Sequence, residues 1–285
     1  MNSMTAKSST PARKPHVSPW APNQHGAWSM LIGPAIVAAV ALLVALIKGA
    51  SPEPGLAVVA LICIIVAWLM GYFTFFAFGL WVKVRNPKRR HLYAKPMEVY
   101  CPICAVACII AVLLYPRLMV WAIPFAILIS VAVFETWRGR PRSLLSGFST
   151  TVASAFIIPA VLHLVTRPAG PIFAVTIFIA LYHFSTTMYV KSVIRKRGDK
   201  KFRIASVSYH VACLVAALVA AFLCPKAYVL LCPVVMAAAL YRAIRVPSLQ
   251  DQGRTFTARQ IGMWEVPITI TAYVLALWGL IDILL

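Results

Sequence analysis

The chain has 285 residues, 61% of them hydrophobic and only 12% charged, with a mean hydropathy of +0.85. Soluble domains carry about 25% charged residues, so a water-soluble fold is excluded and the class is a polytopic membrane protein. The formal charge of +20, from 27 Lys/Arg against 7 Asp/Glu, sits mostly in short stretches between apolar runs. That placement excludes a nucleic-acid-binding module and assigns the cations to orientation in the bilayer and contact with anionic lipid headgroups.

Residues 1–21 are rich in Ser, Thr, Pro and Lys, with Pro11, Pro15 and Pro19 preventing an amphipathic helix, and read as a disordered basic cytoplasmic tail. A cleavable signal peptide is not expected, because the apolar run that follows is too long and starts too far in. PNQHGAW (22–28) then leads into a single transmembrane domain over 22–285. Apolar spans are expected at about 27–47, 56–82, 97–115, 118–137, 144–165, 171–191, 204–223, 227–245 and 262–283, each able to cross roughly 30 Å of hydrocarbon at 1.5 Å per residue. The predicted fold class is therefore all-α, a nine-helix membrane bundle. The turns YPRL, TRPAGP and CPKAY are short, so successive helices should pair as antiparallel hairpins. Pro34, Pro124, Pro159, Pro233 and Pro267 fall within spans and predict kinks.

Nine crossings sort the cations. The tail, 83–95, 138–142, 191–203 and 242–259 share one side and hold 23 of the 27 Lys/Arg; Lys48, Arg117, Arg167 and Lys226 fall one in each loop of the other side. The positive-inside rule then predicts a cytoplasmic N-terminus and an external C-terminus.

Ionisable residues within spans cost roughly 2.5–3.5 kcal/mol at the helix centre and usually face the bundle interior or water. Glu98, Glu135, His183, His210 and Glu265 all fall toward the cytoplasmic side, whereas Glu53, His163 and Asp282 lie near span ends opposite. Helical spacing aligns His183, Thr187 and Lys191 on one face, His25 with Ser29, Ser206 with Tyr209, His210 and Cys213, and Ser143 with Ser146/Gly147, Thr150 and Ser154. These stripes predict a polar cavity open to the cytoplasm, walled by spans one, four, five, six, seven and nine. Glu135 precedes Arg138 by three residues, the spacing of an ion pair.

The basic stretches 83–95 and 191–203 exceed what orientation needs, and Lys/Arg beside a polar cavity suit a substrate bearing phosphate or carboxylate. His25, Arg85, Arg90, Lys95, Arg138, Arg142, Thr187, Lys191 and Arg195 are the candidate binding residues. His183, His210 and Glu265 are the candidates for proton transfer, histidine because its ordinary pKa lies near 6.5. Cys101, Cys104 and Cys108 share a helix face, but no further Cys, His or Asp completes a metal set nearby; packing at helix contacts accounts for them, and no metal or cofactor is assigned.

PNQHGAW (22–28), RSLLSGF (142–148) and the Val190–His210 region resemble the YwiC-like family of bacterial integral membrane proteins, over nearly the whole chain after the tail. That resemblance implies location in a bacterial membrane and architecture rather than an activity. Nine spans with prominent loops after spans two and six are also similar to the architecture of UbiA-type prenyltransferases, whose two Asp-rich motifs hold Mg²⁺ against a prenyl diphosphate. At those loops this sequence reads FGLWVKVRNPKRRHLYAKP and TMYVKSVIRKRGDKKFR, with Asp199 the one acid. Three functions stay open: an enzyme acting on a lipid or lipid-linked anionic substrate, a transporter for a small anion or metabolite, and a noncatalytic membrane scaffold or assembly partner.

Overall fold

The computed structural model describes residues 18–22 and 25–285, without the side chains of His25, Lys88 and Arg89. Residues 1–17 of the expected tail lie outside the described residues. Among the described residues, nine helices long and apolar enough to cross a membrane follow in order: α1 (His25–Ile47), α2 (Pro54–Trp81), α3 (Pro87–Leu114), α4 (Ala122–Trp137), α5 (Leu144–Leu162), α6 (Gly170–Val190), α7 (Lys200–Leu223), α8 (Ala227–Asp251) and α9 (Ala258–Leu284). A 3₁₀ turn, Pro116–Trp121, supplies the start of the fourth span, and a π turn, Lys191–Arg195, ends the sixth. No strand occurs among the described residues. The chain is an integral, multi-pass membrane protein.

The helices outrun the apolar spans at one end. α3 begins at Pro87, ten residues before the expected 97, α7 at Lys200, and α8 continues through Pro247 to Asp251. Apolarity marks where a chain can sit in lipid, but capping marks where a helix stops. Ser143 Oγ accepts from Ser146 N at 3.0 Å, Asp199 Oδ1 from Phe202 N at 3.0 Å, and Thr257 forms a capping box with Gln260. Gly198 and Gly253, at φ of +80° and +88°, reverse the chain after α6 and α8, a conformation that a Cβ would strain.

Successive helices pack side by side, and α1, α5, α6 and α9 close the centre. Burial is highest in α5 (61%), α6 (56%) and α1 (50%), and lowest in α2 and α4 (17%) and α3 (11%). The hydroxyl stripe of α5 proves to be a packing face rather than a cavity lining. Ser149 and Thr150 return their hydroxyls to the carbonyls of Leu145 and Ser146 at 2.9 Å, Ser154 reaches Met30 O of α1, and Gly147 lies against Thr187. Small residues whose polar atoms are satisfied, within their own helix or, as for Ser154, on the neighbouring one, let backbones approach closely in an apolar setting. The connections 82–86, 138–143, 196–199 and 252–257 gather at one end of the bundle, called here the basic end. Residues 18–22 lie there too, with Trp20 O accepting from Tyr100 OH of α3 at 2.8 Å.

Candidate functional site

α9 turns Glu265, Thr269 and Tyr273, spaced four residues apart and hence on one face, toward Tyr182, His183 and Thr186 of α6. Glu265 Oε1 accepts from Tyr182 OH at 2.6 Å and from Thr186 Oγ1 at 2.7 Å, while Tyr182 OH also meets Thr269 Oγ1 at 2.7 Å. The other carboxylate oxygen, Oε2, forms an ion pair with Nη1 of Arg242, which reaches in from α8. Arg242 is 5% exposed, and its guanidinium lies over the Tyr189 ring, 4.1 Å from the centroid. A buried charge is tolerated only when paired and further hydrogen-bonded, and Glu265 meets both conditions.

Arg242 meets only the first. A guanidinium has five N–H donors; among the described residues Nε and Nη2 have no acceptor, and neither do the buried Tyr189 OH on α6 and Ser206 Oγ on α7. Leaving a buried donor unmatched costs about 1–3 kcal/mol, so this concentration of unmet donors marks a place built for something besides packing.

The two histidines are both buried, at 1% exposure, and each is held by its own partner. His183 Nε2 lies 2.9 Å from Tyr273 OH, which donates onward to Ser29 O at 2.8 Å. Tyr273 has spent its proton, so His183 donates through Nε2 and keeps an acceptor lone pair at Nδ1. His210 has the opposite tautomer: Nδ1 donates to Ser206 O at 2.7 Å, and Nε2 is a buried acceptor without a partner. Arg242 lies close enough for its charge to act on His210. The structure therefore joins His183 and Glu265 along the α6–α9 contact through Tyr182, Thr186 and Tyr273, and sets His210 on the α7 side of Arg242. α8, absent from the predicted walls, supplies the buried cation of this contact, Arg242.

The predicted cations fall into two groups. Arg142, Lys191 and Arg195 come together where α5 starts and α6 ends: Lys191 Nζ donates to Arg142 O at 2.9 Å, and Arg142 lies within electrostatic range of Arg195. Thr187 belongs to this group, although its hydroxyl is bonded to His183 O at 3.1 Å. Arg85, Arg90, Lys95 and Arg138 sit instead at the α2–α3–α4 ends, where Arg90 stacks on Trp81 at 3.7 Å and Arg138 on Phe134 at 5.4 Å. His25 opens α1, and its side chain lies outside the described residues. Glu98 is exposed on α3 rather than buried. Glu135 is buried but pairs with Arg140 at 2.8 Å, not with Arg138. Helix α4 ends at Trp137, so the i,i+3 geometry is lost before Arg138, and the turn brings Arg140 back instead.

Asp199, the one acid at the second basic stretch, is fully engaged. Its cap to Phe202 N, helped by Lys196 at 3.3 Å, holds the carboxyl below the usual carboxylate range. Asp251 binds Arg203, and between these pairs lies a cavity of about 220 Å³ lined by Ser192, Lys196, Arg203, Pro247 and Gln250.

Residues 21–162 match the model of a family described as YwiC-like protein. Over that segment, this chain belongs to the YwiC-like family. An uncharacterized protein of Haemophilus influenzae is 24% identical over 212 residues, which cover 73% of this chain and 84% of the relative. No solved structure matches the chain. The YwiC-like segment contains PNQHGAW and RSLLSGF and ends with α5. The Val190–His210 stretch, Arg242 and Glu265 all lie beyond it.

Arg242, Tyr182, Tyr189, Thr186, Thr269 and Tyr273 were not among the residues expected from sequence. Arg242 counted there as a loop cation, because apolarity fades near residue 245 while the helix does not. The signal that could have found it is spacing: Arg242, Val246 and Gln250 recur at i, i+4 and i+8, one continuous buried face.

Proposed function

We propose that this protein is an enzyme of the bacterial cytoplasmic membrane, with its N-terminus in the cytoplasm and its C-terminus outside. Its substrate is a lipid or lipid-linked molecule with an anionic phosphate or carboxylate group, reached from the basic end. The observation that carries this reading is the buried Arg242–Glu265 pair with its Tyr182 and Thr186 donors, set among apolar helices. Intramembrane ionisable groups of this kind belong by default to sites rather than to packing. Arg142, Lys191 and Arg195 draw the anion to the basic end, and His210, with an acceptor nitrogen unpartnered among the described residues, is the proton-transfer group, with Glu265 and His183 as the further candidates. The second basic group, Arg85, Arg90, Lys95 and Arg138, contacts anionic headgroups.

A transporter would need a polar route through the far end. There His163 Nδ1 accepts from Trp121 Nε1 at 3.1 Å, and the groove between α1 and α2, about 460 Å³, is lined by apolar residues such as Leu43, Leu46 and Val58. These contacts favour the enzyme.

The test compares the membrane lipid and quinone profile of a deletion strain with strains restored by the wild-type gene, by His210→Gln or by Glu265→Gln. Deletion should make one anionic lipid or quinone species accumulate, the wild type should clear it, and His210→Gln should not. A profile that deletion leaves unchanged rejects the enzyme.

A further inference from the structure

We propose that the guanidinium of Arg242 is the receptor for a phosphate monoester headgroup, bound as its monoanion, with His210 Nε2 accepting the one remaining phosphate proton. The inference deepens the enzyme reading and rests on it, because it names the chemical group that the enzyme would hold.

Four features of the molecule converge on this ligand. First, Glu265 occupies only Nη1 of Arg242, leaving Nε and Nη2 without acceptors. Those two nitrogens present parallel N–H bonds, the fork that fits two oxygens of a phosphate or carboxylate. Second, the plane of that fork is fixed from one side by the Tyr189 ring at 4.1 Å. Third, Tyr189 OH and Ser206 Oγ add unpartnered buried hydroxyls to the same α6–α7–α8 region. Fourth, His210 is held through Nδ1 to Ser206 O, which leaves Nε2 as an acceptor.

The balance of donors and acceptors separates phosphate from carboxylate. Two N–H groups and two hydroxyls can be met by the lone pairs of either group, so the acceptor at His210 Nε2 is what tells them apart. An ionised carboxylate has no proton to give His210 Nε2; a phosphate monoanion, P–OH, has one. Charge points the same way: Arg242 and Glu265 cancel, so a monoanion leaves one uncompensated buried charge where a dianion would leave two. The headgroup comes from the basic end, where the cavity of about 220 Å³ shares Ser192, Pro247 and Gln250 with the two helices that carry Tyr189 and Arg242. Gln250 lies about 12 Å along α8 from Arg242 by helix rise.

Binding the monoanion makes affinity fall as pH rises past the second phosphate pKa, about 6. The titratable and charged groups around the headgroup are Tyr182 and Tyr189 from α6, Tyr209, His210 and Cys213 from α7, Arg242 from α8 and Glu265 from α9.

The test uses the full-length protein in phosphatidylcholine nanodiscs, with thermal stability and ³¹P spectra read against inorganic phosphate, against phosphatidic acid mixed into the disc, and against oleate. Phosphate and phosphatidic acid should both stabilise wild type if the headgroup suffices; a response to phosphatidic acid alone assigns a lipid-borne source, and both results support the proposal. Arg242→Lys keeps the charge but loses the fork and should weaken binding about tenfold. Tyr189→Phe and Ser206→Ala leave the ion pair in place and should each weaken it several-fold, which keeps the test valid if Arg242→Lys fails to fold. Raising the pH from about 6 to about 8 should weaken binding to wild type, and His210→Gln, which keeps only the charge preference for the monoanion, should respond less steeply. No response to either phosphate probe, a response to oleate alone, or equal binding by wild type, Tyr189→Phe and Ser206→Ala overturns the proposal. Such a result together with a deletion strain whose lipid profile is altered leaves the enzyme standing with a different ligand; intact phosphate binding with an unaltered profile rejects the enzyme and keeps the binding site.

Discussion

Removing Glu265 alone strands Arg242, the more buried partner, in an apolar interior. Glu265→Ala should therefore destabilise the protein by about 3–5 kcal/mol, and the pair of changes Arg242→Leu with Glu265→Leu should recover most of that loss. Unfolding in detergent, run as a double-mutant cycle, measures both; an additive cycle would show that the two side chains do not interact. At the far end His163 follows a different rule. Burial, with the charges of Arg117 and Arg167, lowers its pKa below the usual histidine value. A proton on the ring also competes with the hydrogen bond from Trp121. The folded state thus prefers neutral His163, so its contribution is whole above about pH 6.5 and is lost as the pH falls toward the lowered value. Unfolding temperatures between neutral and mildly acidic pH should drop for wild type, and less for His163→Gln.

At the scale of helices, α1 and α9 meet where Gly33 faces Tyr273. A Cβ at position 33 would run into the Tyr273 ring and hydroxyl. Gly33→Ala should push Tyr273 away from His183 and Ser29, loosening α1 from α9 and destabilising the bundle; a Gly33→Ala protein with wild-type stability would count against this packing. Asp199 is the cap that starts α7, and Asp199→Ala should cost about 1 kcal/mol, read as a lower unfolding midpoint. The helices were legible in the sequence because each must be apolar over a bilayer's width, and that signal is long. Their ends were less so: Pro247 sits inside α8 and Pro96 inside α3, helix continuing past the point where hydropathy gives out. That overrun hid the most informative residue, since Arg242 reads as a surface cation until α8 is known to run another two turns. Glu265 and His183 were visible as titratable residues in apolar runs, but their partners Tyr182, Thr186 and Tyr273 were not. Tyrosines and threonines are common in such helices, and only the α6–α9 contact selects these.

For the molecule as a whole, the even spacing of nine crossings separates 23 cations from 4, and the bundle gathers the same connections at one end. Reporter fusions after Gly253 and after Pro225 should give opposite signals, cytoplasmic for the first and external for the second; matching signals would remove the inward orientation and with it the direction of substrate entry. The division of labour among helices is as uneven as the charge. α5, with 19 residues, is about 28 Å long and stands inside the others, whereas α2, with 28 residues, reaches about 42 Å and buries little. A bilayer near 30 Å suits the inner helix upright and forces the outer one to lean. Thinning or thickening the lipid would therefore swing the α2–α3 arm while the Arg242–Glu265 pair keeps its geometry, so lipid chain length should alter the accessibility of residues 83–95 and leave the ion pair untouched.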